Sequence, residues 1–177
     1  MNLNSKIGAK GFYTFTAWEA GVLPSILSAG YSYKRAIWLA GLFGAKRKVI
    51  AHNNLIVTAG YALLAAIAAD EEAGLWGIAI GTDATAPVVG DVSLVAETAR
   101  SAWTYKASAG AQIERSIILP EASCSVFIKE AGVFGGNNAS TTLNSGTLFA
   151  RYLASYDNSG GGADITIDHI LTYQAVP

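Results

Sequence analysis

The sequence predicts a mainly β protein: an antiparallel, jelly-roll-like β-sandwich with one buried helix at about 58–69 and an N-terminal arm. Three observations predict it. From Leu75 onward, apolar and β-branched runs recur at roughly ten- to twenty-residue spacing, separated by Gly, Asn, Ser and Pro turns. One segment alone, Tyr61–Ala69, is built from alanine and leucine, the best helix formers. The chain has 177 residues, enough for one domain with a small arm.

Along the chain, Gly11-Phe-Tyr-Thr-Phe-Thr-Ala-Trp-Glu19 reads as a strand. Gly21 to Gly30, with Pro24 inside, reads as a loop. Tyr33 to Leu39 reads as a second strand, broken by Gly41 and Gly44, and Lys48 to Ala51 is placed to pair with it. Thr58 is the expected N-cap of the helix, whose sequence is apolar nearly all round and so predicts burial on most faces. Asp70, Glu71 and Glu72 would oppose the negative end of the helix dipole, so they start a turn. Leu75–Thr82, Glu97–Ala107, Gln112–Leu119, Ser123–Phe134, Thr147–Ala154 and Asp164–Tyr173 are the remaining predicted strands. In the last of these, Ile165, Ile167, His169 and Leu171 share one face. His169 is read as a strand histidine at an interface or sheet edge. The expected organisation is an arm with strands over 1–50 and a sandwich over 51–177. The polar stretches Gly135–Gly146 and Asp157–Gly162 are expected as exposed, mobile tips.

Composition narrows the function classes. Hydrophobic residues make up 51% and charged residues only 14%, against roughly 25% charged in an average soluble domain. Mean hydropathy is +0.33. Such a chain carries too little charge to coat a lone globule, so it reads as a subunit of an assembly. The longest apolar run, Leu55–Ala69, has 15 residues, short of the about 20 that span a bilayer. No apolar stretch follows Lys6 and Lys10 as a signal peptide requires, so synthesis in a cytoplasm is expected.

Charge is unevenly divided. Residues 1–50 carry Lys6, Lys10, Lys34, Arg35, Lys46, Arg47 and Lys48 against Glu19, while residues 51–177 are net acidic. The basic residues are sparse and interrupted, which fits docking on an acidic protein surface better than a nucleic-acid arm. Lys34, Arg35, Lys46, Arg47 and Lys48 are therefore the candidate assembly contacts.

Catalytic patterns are missing. Gly41-Leu-Phe-Gly-Ala-Lys46 lacks Walker A spacing and its Ser/Thr, and there is no dinucleotide fingerprint or Gly-x-Ser-x-Gly elbow. The single cysteine, Cys124, sits on a predicted strand and reads as a buried structural thiol. Glu97, Glu114, Glu121 and Glu130 are the candidates for a carboxylate pair, but sequence spacing brings no two of them within reach, so they are read as structural. Glu130 interrupts an apolar strand, and Arg100, Arg115 or Arg151 are its expected cross-strand partners in fixing register. No enzyme activity, cofactor, metal, nucleic acid, membrane or small-molecule ligand is expected. Gly81, Thr82, Pro87 and Asp91 read as a strand–loop–turn–strand connector, with Asp91 capping a single helical turn through Leu94 and Val95.

Several segments, in order, resemble small virion proteins of tailed bacteriophages. His52-Asn-Asn-Leu-Ile-Val-Thr-Ala-Gly-Tyr-Ala-Leu-Leu64 resembles their "N-L-I-T-x-x-G" element with its short apolar helix. Ile78-Ala-Ile-Gly-Thr-Asp-Ala-Thr-Ala-Pro87, then Asp91, Leu94, Glu97 and Arg100, is similar to their "G-T-G-x-T-A-P-x-x-x-D-x-x-L-x-x-E-x-x-R" run. Ile128-Lys-Glu-Ala-Gly-Val-Phe134, Gly146-Thr-Leu-Phe-Ala-Arg151 and the closing Ile165–Tyr173 strand resemble later strands. Asp83 stands where the middle glycine is usual, and the Gly135–Ser145 stretch is long. The resemblance spans about residues 50–173. It implies a structural subunit in the virion, in the tail, baseplate or fibre attachment, made in the host cytoplasm. Its implied partners are further copies of itself in symmetric homo-oligomers and other virion proteins. Capsid decoration, head-fibre or collar protein is the alternative position. A carbohydrate-binding host-recognition module is a further alternative, with Tyr156 beside a loop tip as its only cue.

Overall fold

In the first strand, apolar residues alternate with small polar ones, so each face of the strand meets a different environment. The computed structural model describes residues 6–42 and 50–176. The elements, in order, are β1 (Lys6–Glu19), α1 (Val22–Ser28), α2 (Tyr33–Leu42), β2 (Ile50–Asn53), β3 (Leu55–Ile56), α3 (Thr58–Ala68), β4 (Leu75–Gly81), β5 (Glu97–Ala102), β6 (Tyr105–Ala109), β7 (Gln112–Leu119), α4 (Glu121–Cys124), β8 (Phe127–Gly135), β9 (Thr147–Asp157) and β10 (Ala163–Val176).

The strands form two antiparallel sheets of five. Sheet I runs β2-β1-β10-β7-β6, and sheet II runs β3-β9-β8-β4-β5. The main core draws on both. Tyr13, Phe15, Ile117, Leu119, Ile165 and Ile167 come from sheet I, and Ile78, Ile80, Ile128, Val133, Phe149 and Tyr152 from sheet II. Each sheet also has a covered outer face. On sheet I, Trp18 and Ile118 pack with Leu23, Ala36 and Ala40 of the α1–α2 pair. On sheet II, Ala79, Phe134 and Leu148 alternate with core-facing neighbours and receive Leu94 from the β4–β5 connection.

The N-terminal segment expected as an arm contributes β1, which pairs with β10 from Lys6↔Val176 to Glu19↔Ala163. Residues Tyr33–Leu39, expected as a strand, are helical in α2, and the expected loop after Gly21 holds α1. The reason is local: Ala36, Ile37 and Ala40 recur at helical spacing and are flanked by Lys, Arg, Leu and Ala, all good helix formers. In α1, Leu23, Ile26 and Leu27 repeat at the same spacing, and Pro24 falls in the first turn, where its missing N–H costs nothing. The expected strand Lys48–Ala51 overlaps β2 at Ile50 and Ala51, and β2 pairs with β1, not with Tyr33–Leu39, which is helical.

The helix expected at 58–69 is α3, but it begins one residue inside its cap. Val57 is the N-cap residue, with no side-chain capping bond. It is not buried on most faces: Gly60 and Leu63 are buried, Leu64 and Ile67 partly so, and Tyr61 is exposed. Gly60 meets the backbone of β9 so closely that a Cβ would collide with the Phe149 carbonyl. Among the described residues, no helix is long and apolar enough to cross a membrane.

The expected strand Glu97–Ala107 is two strands in different sheets. Trp103 N–H donates to Trp76 O of sheet II at 3.2 Å, and Thr104 N–H donates to Ser116 O of sheet I at 2.8 Å. The chain therefore changes sheets between these two amides. Likewise, Ser123 and Cys124 belong to α4 and not to a strand; β8 begins at Phe127.

Candidate assembly surface

The β4–β5 connection starts where Gly81 leaves the sheet at a register shift. A side chain at Gly81 would meet the Ala96 carbonyl and the Glu130 carboxylate. Only glycine lets the returning chain lie that close. Thr82 N–H donates to Ala96 O at 3.0 Å, closing the base of the connection.

One buried arginine then holds the loop down. Arg151 of β9 is 1% exposed. Its Nε donates to Glu130 Oε2 at 2.9 Å, its Nη1 to Asp91 Oδ2 at 2.8 Å, and its Nη2 to Thr85 O at 2.9 Å. Glu130, fully buried on β8, also accepts from the Val95 and Ala96 amides at 3.1 and 2.7 Å. Burial opposes the charge on Arg151, yet the Asp91 and Glu130 carboxylates outweigh it and raise its pKa. Of the three arginines expected to face Glu130, Arg151 does so. Arg100 instead forms a bidentate pair with Glu97, at 2.5 and 2.8 Å. Its Nη1 reaches Ser140 O and Ser145 O, and its guanidinium lies 4.5 Å from the Phe134 ring centroid.

Asp91 does not cap a helical turn. No helix forms at Leu94–Val95; Asp91 Oδ2 accepts from the Val88 amide and is taken up by Arg151. Pro87 lies half-buried in the same loop. Fixed beneath, the loop turns Val88, Val89, Val92 and Val95 outward, between 57% and 72% exposed. The Thr58 amide donates to Val89 O, so α3 and its exposed Tyr61 border these valines.

The same anchoring changes the reading of the Gly135–Gly146 stretch. Its tip is exposed, but Arg100 ties Ser140 and Ser145, and Glu72 Oε2 accepts from the Asn137 amide at 2.6 Å. In the second glycine-rich turn, Asn158 is buried and donates to Cys124 O and Ala163 O, each at 3.0 Å.

Lys34 and Arg35 lie on α2, over the outer face of the other sheet. Lys34 Nζ is 3.3 Å from Glu114 Oε2 and sits over the Tyr105 ring, so it is already engaged within the chain. Arg35 is exposed, 5.9 Å from the Tyr31 ring centroid. Lys46, Arg47 and Lys48 fall outside the described residues. The structure thus brings Gly81, Thr82, Pro87 and Asp91 together and leaves Lys34 and Arg35 on a separate face.

Cys124 is buried, as expected, and burial pushes its thiol up to about 11. His169 is not at a sheet edge. It lies on β10, the central strand of sheet I, and is fully buried between the sheets. Its ring is 4.7 Å from the stacked Tyr13 ring and 6.1 Å from that of Trp103. Neither ring nitrogen has a hydrogen-bond partner among the described residues. Burial, with Arg115 beside it, lowers its pKa to about 3. Sequence reasoning missed the apolar face of the connector; its signal was valine at four positions of a stretch read only as a turn.

No family model matches the chain, and neither curated proteins nor solved structures yield a match.

Proposed function

We propose that the chain is a non-enzymatic structural subunit of a tailed-phage virion, in the tail, baseplate or fibre attachment, where copies form symmetric homo-oligomers. In this reading the two facing sheets are a jelly-roll-like β-sandwich. One observation carries it: buried ion pairs hold a rigid loop whose outer side is four exposed valines. A protein does not ordinarily bury an arginine–glutamate pair beneath a loop only to present apolar side chains to water. A second copy is the occupant we assign, because the chain is itself charge-complementary between its first 50 residues and the rest. The residues holding the loop, Asp91, Glu130 and Arg151, are among those that carry the phage resemblance, and in this reading they serve architecture.

Immunogold electron microscopy of purified particles tests the placement. Label at the tail end or side is the expected result. Label spread over the head moves the protein to decoration, and absence of the chain from particles overturns the virion reading.

A further inference from the structure

The α1–α2 pair does not cover sheet I completely. Between α2 and the outer faces of β1, β10 and β7 lies a cavity of about 620 Å³, within the range of small-molecule sites. Its polar floor is made by Thr16, Thr166 and Asp168, and its walls include Trp38, Lys34 and Glu114. We propose that this cavity binds a neutral saccharide, with a sugar ring stacked on Trp38 and its hydroxyls hydrogen-bonded to Asp168 and Glu114. The inference is independent of the virion reading.

The geometry favours a polyol. Trp38 is 60% exposed at the edge of the cavity, an open aromatic platform for the C–H face of a ring. The carboxylates are held in place before any ligand arrives. Asp168 Oδ1 accepts from Ser116 Oγ at 2.5 Å and from Tyr33 Oη at 3.1 Å. Burial and the Asp168 charge keep the Tyr33 hydroxyl protonated, so it remains a donor. Thr166 Oγ1 accepts from Trp18 Nε1 at 3.1 Å, which fixes the floor beside Asp168. Lys34 is paired with Glu114 at the rim. A cationic ligand would have to compete with Lys34 for Glu114, and an anion would meet two carboxylates. A neutral ligand with many hydroxyls disturbs neither arrangement and uses all three charged groups as fixed partners.

The test is saturation-transfer NMR on the full chain with a defined panel: glucose, galactose, rhamnose, N-acetylglucosamine and maltose, and arginine amide as a cationic probe. The expected result is transfer to at least one sugar, concentrated on ring C–H protons. Trp38→Ala should weaken that binding at least tenfold. Glu114→Gln, at a half-exposed position, should weaken it severalfold with folding intact by circular dichroism. No transfer to any of the five sugars overturns the proposal. So does sugar binding that survives both substitutions, or binding of arginine amide alone.

Discussion

His169 shows how a single residue can set the response of the protein to acid. The imidazole lies against Tyr13 of β1, Arg115 of β7 and Trp103, and no carboxylate is among these neighbours. Its folded pKa of about 3 lies below the ordinary 6.5. Between these values the unfolded chain binds a proton that the folded chain does not, so stability rises with pH across that window. The contribution is complete above pH 6.5 and is lost as pH falls toward 3. At pH 5 the loss is about 2 kcal/mol. His169→Leu should remove most of this dependence, which urea titrations at pH 5 and 7.5 measure; an unchanged pH slope in the variant would assign the effect to other groups. Cys124 offers a second residue-scale check. With its thiol raised to about 11 and buried, it should resist iodoacetamide at pH 8 until the protein is unfolded.

Among the elements, the connector is where the sequence was most and least legible. Its residues stood out as a group, and Glu130 stood out as a charge in an apolar strand. Their pairing did not, because three arginines were equally placed by strand alternation and only the register Gly132↔Arg151 selects one. Asp91 was read by local capping rules, yet Arg151, sixty residues away, decides its role. The same holds for the helices. The spacing of Ala36, Ile37 and Ala40 is a helical signal, but Tyr33 and Trp38 are residues that strands favour, so local propensity does not separate helix from strand here. His169 was put on the correct face of β10, since alternation is local, and in the wrong environment, since strand order is not. The buried pair makes its own prediction. Arg151→Met leaves Glu130 buried without its cation and should cost about 3–5 kcal/mol. Adding Glu130→Gln removes the stranded charge and keeps one acceptor oxygen for one of the Val95 and Ala96 amides, so the double variant should recover part, and only part, of that loss. Thermal denaturation of the two variants checks the order, and a double variant less stable than the single would refute the pairing argument. Gly81→Ala should cost about 1–3 kcal/mol by forcing the connector off the sheet.

At the scale of the whole molecule, the proposed assembly turns on which force would bring copies together. The charge division of the chain suggests ionic attraction, but exposed ion pairs contribute only about 0–1 kcal/mol each and are screened by salt. Burying a valine contributes about 1.5 kcal/mol or more. Four valines on one rigid loop, more than half exposed, therefore outweigh the few exposed charges of α2, where Lys34 is already held by Glu114. In the proposed assembly, charge would orient the encounter and the valines would hold it. The expected outcome in sedimentation velocity is an oligomer that persists in high salt. Replacing Val88 and Val92 with Asp should yield a monomer with an almost unchanged melting temperature, because both side chains are on the surface and the anchoring ion pairs lie beneath them. An oligomer that dissolves in salt but survives the valine substitutions would transfer the contact to the basic residues of the first 50. A wild-type chain that stays monomeric at every concentration would remove the assembly surface altogether.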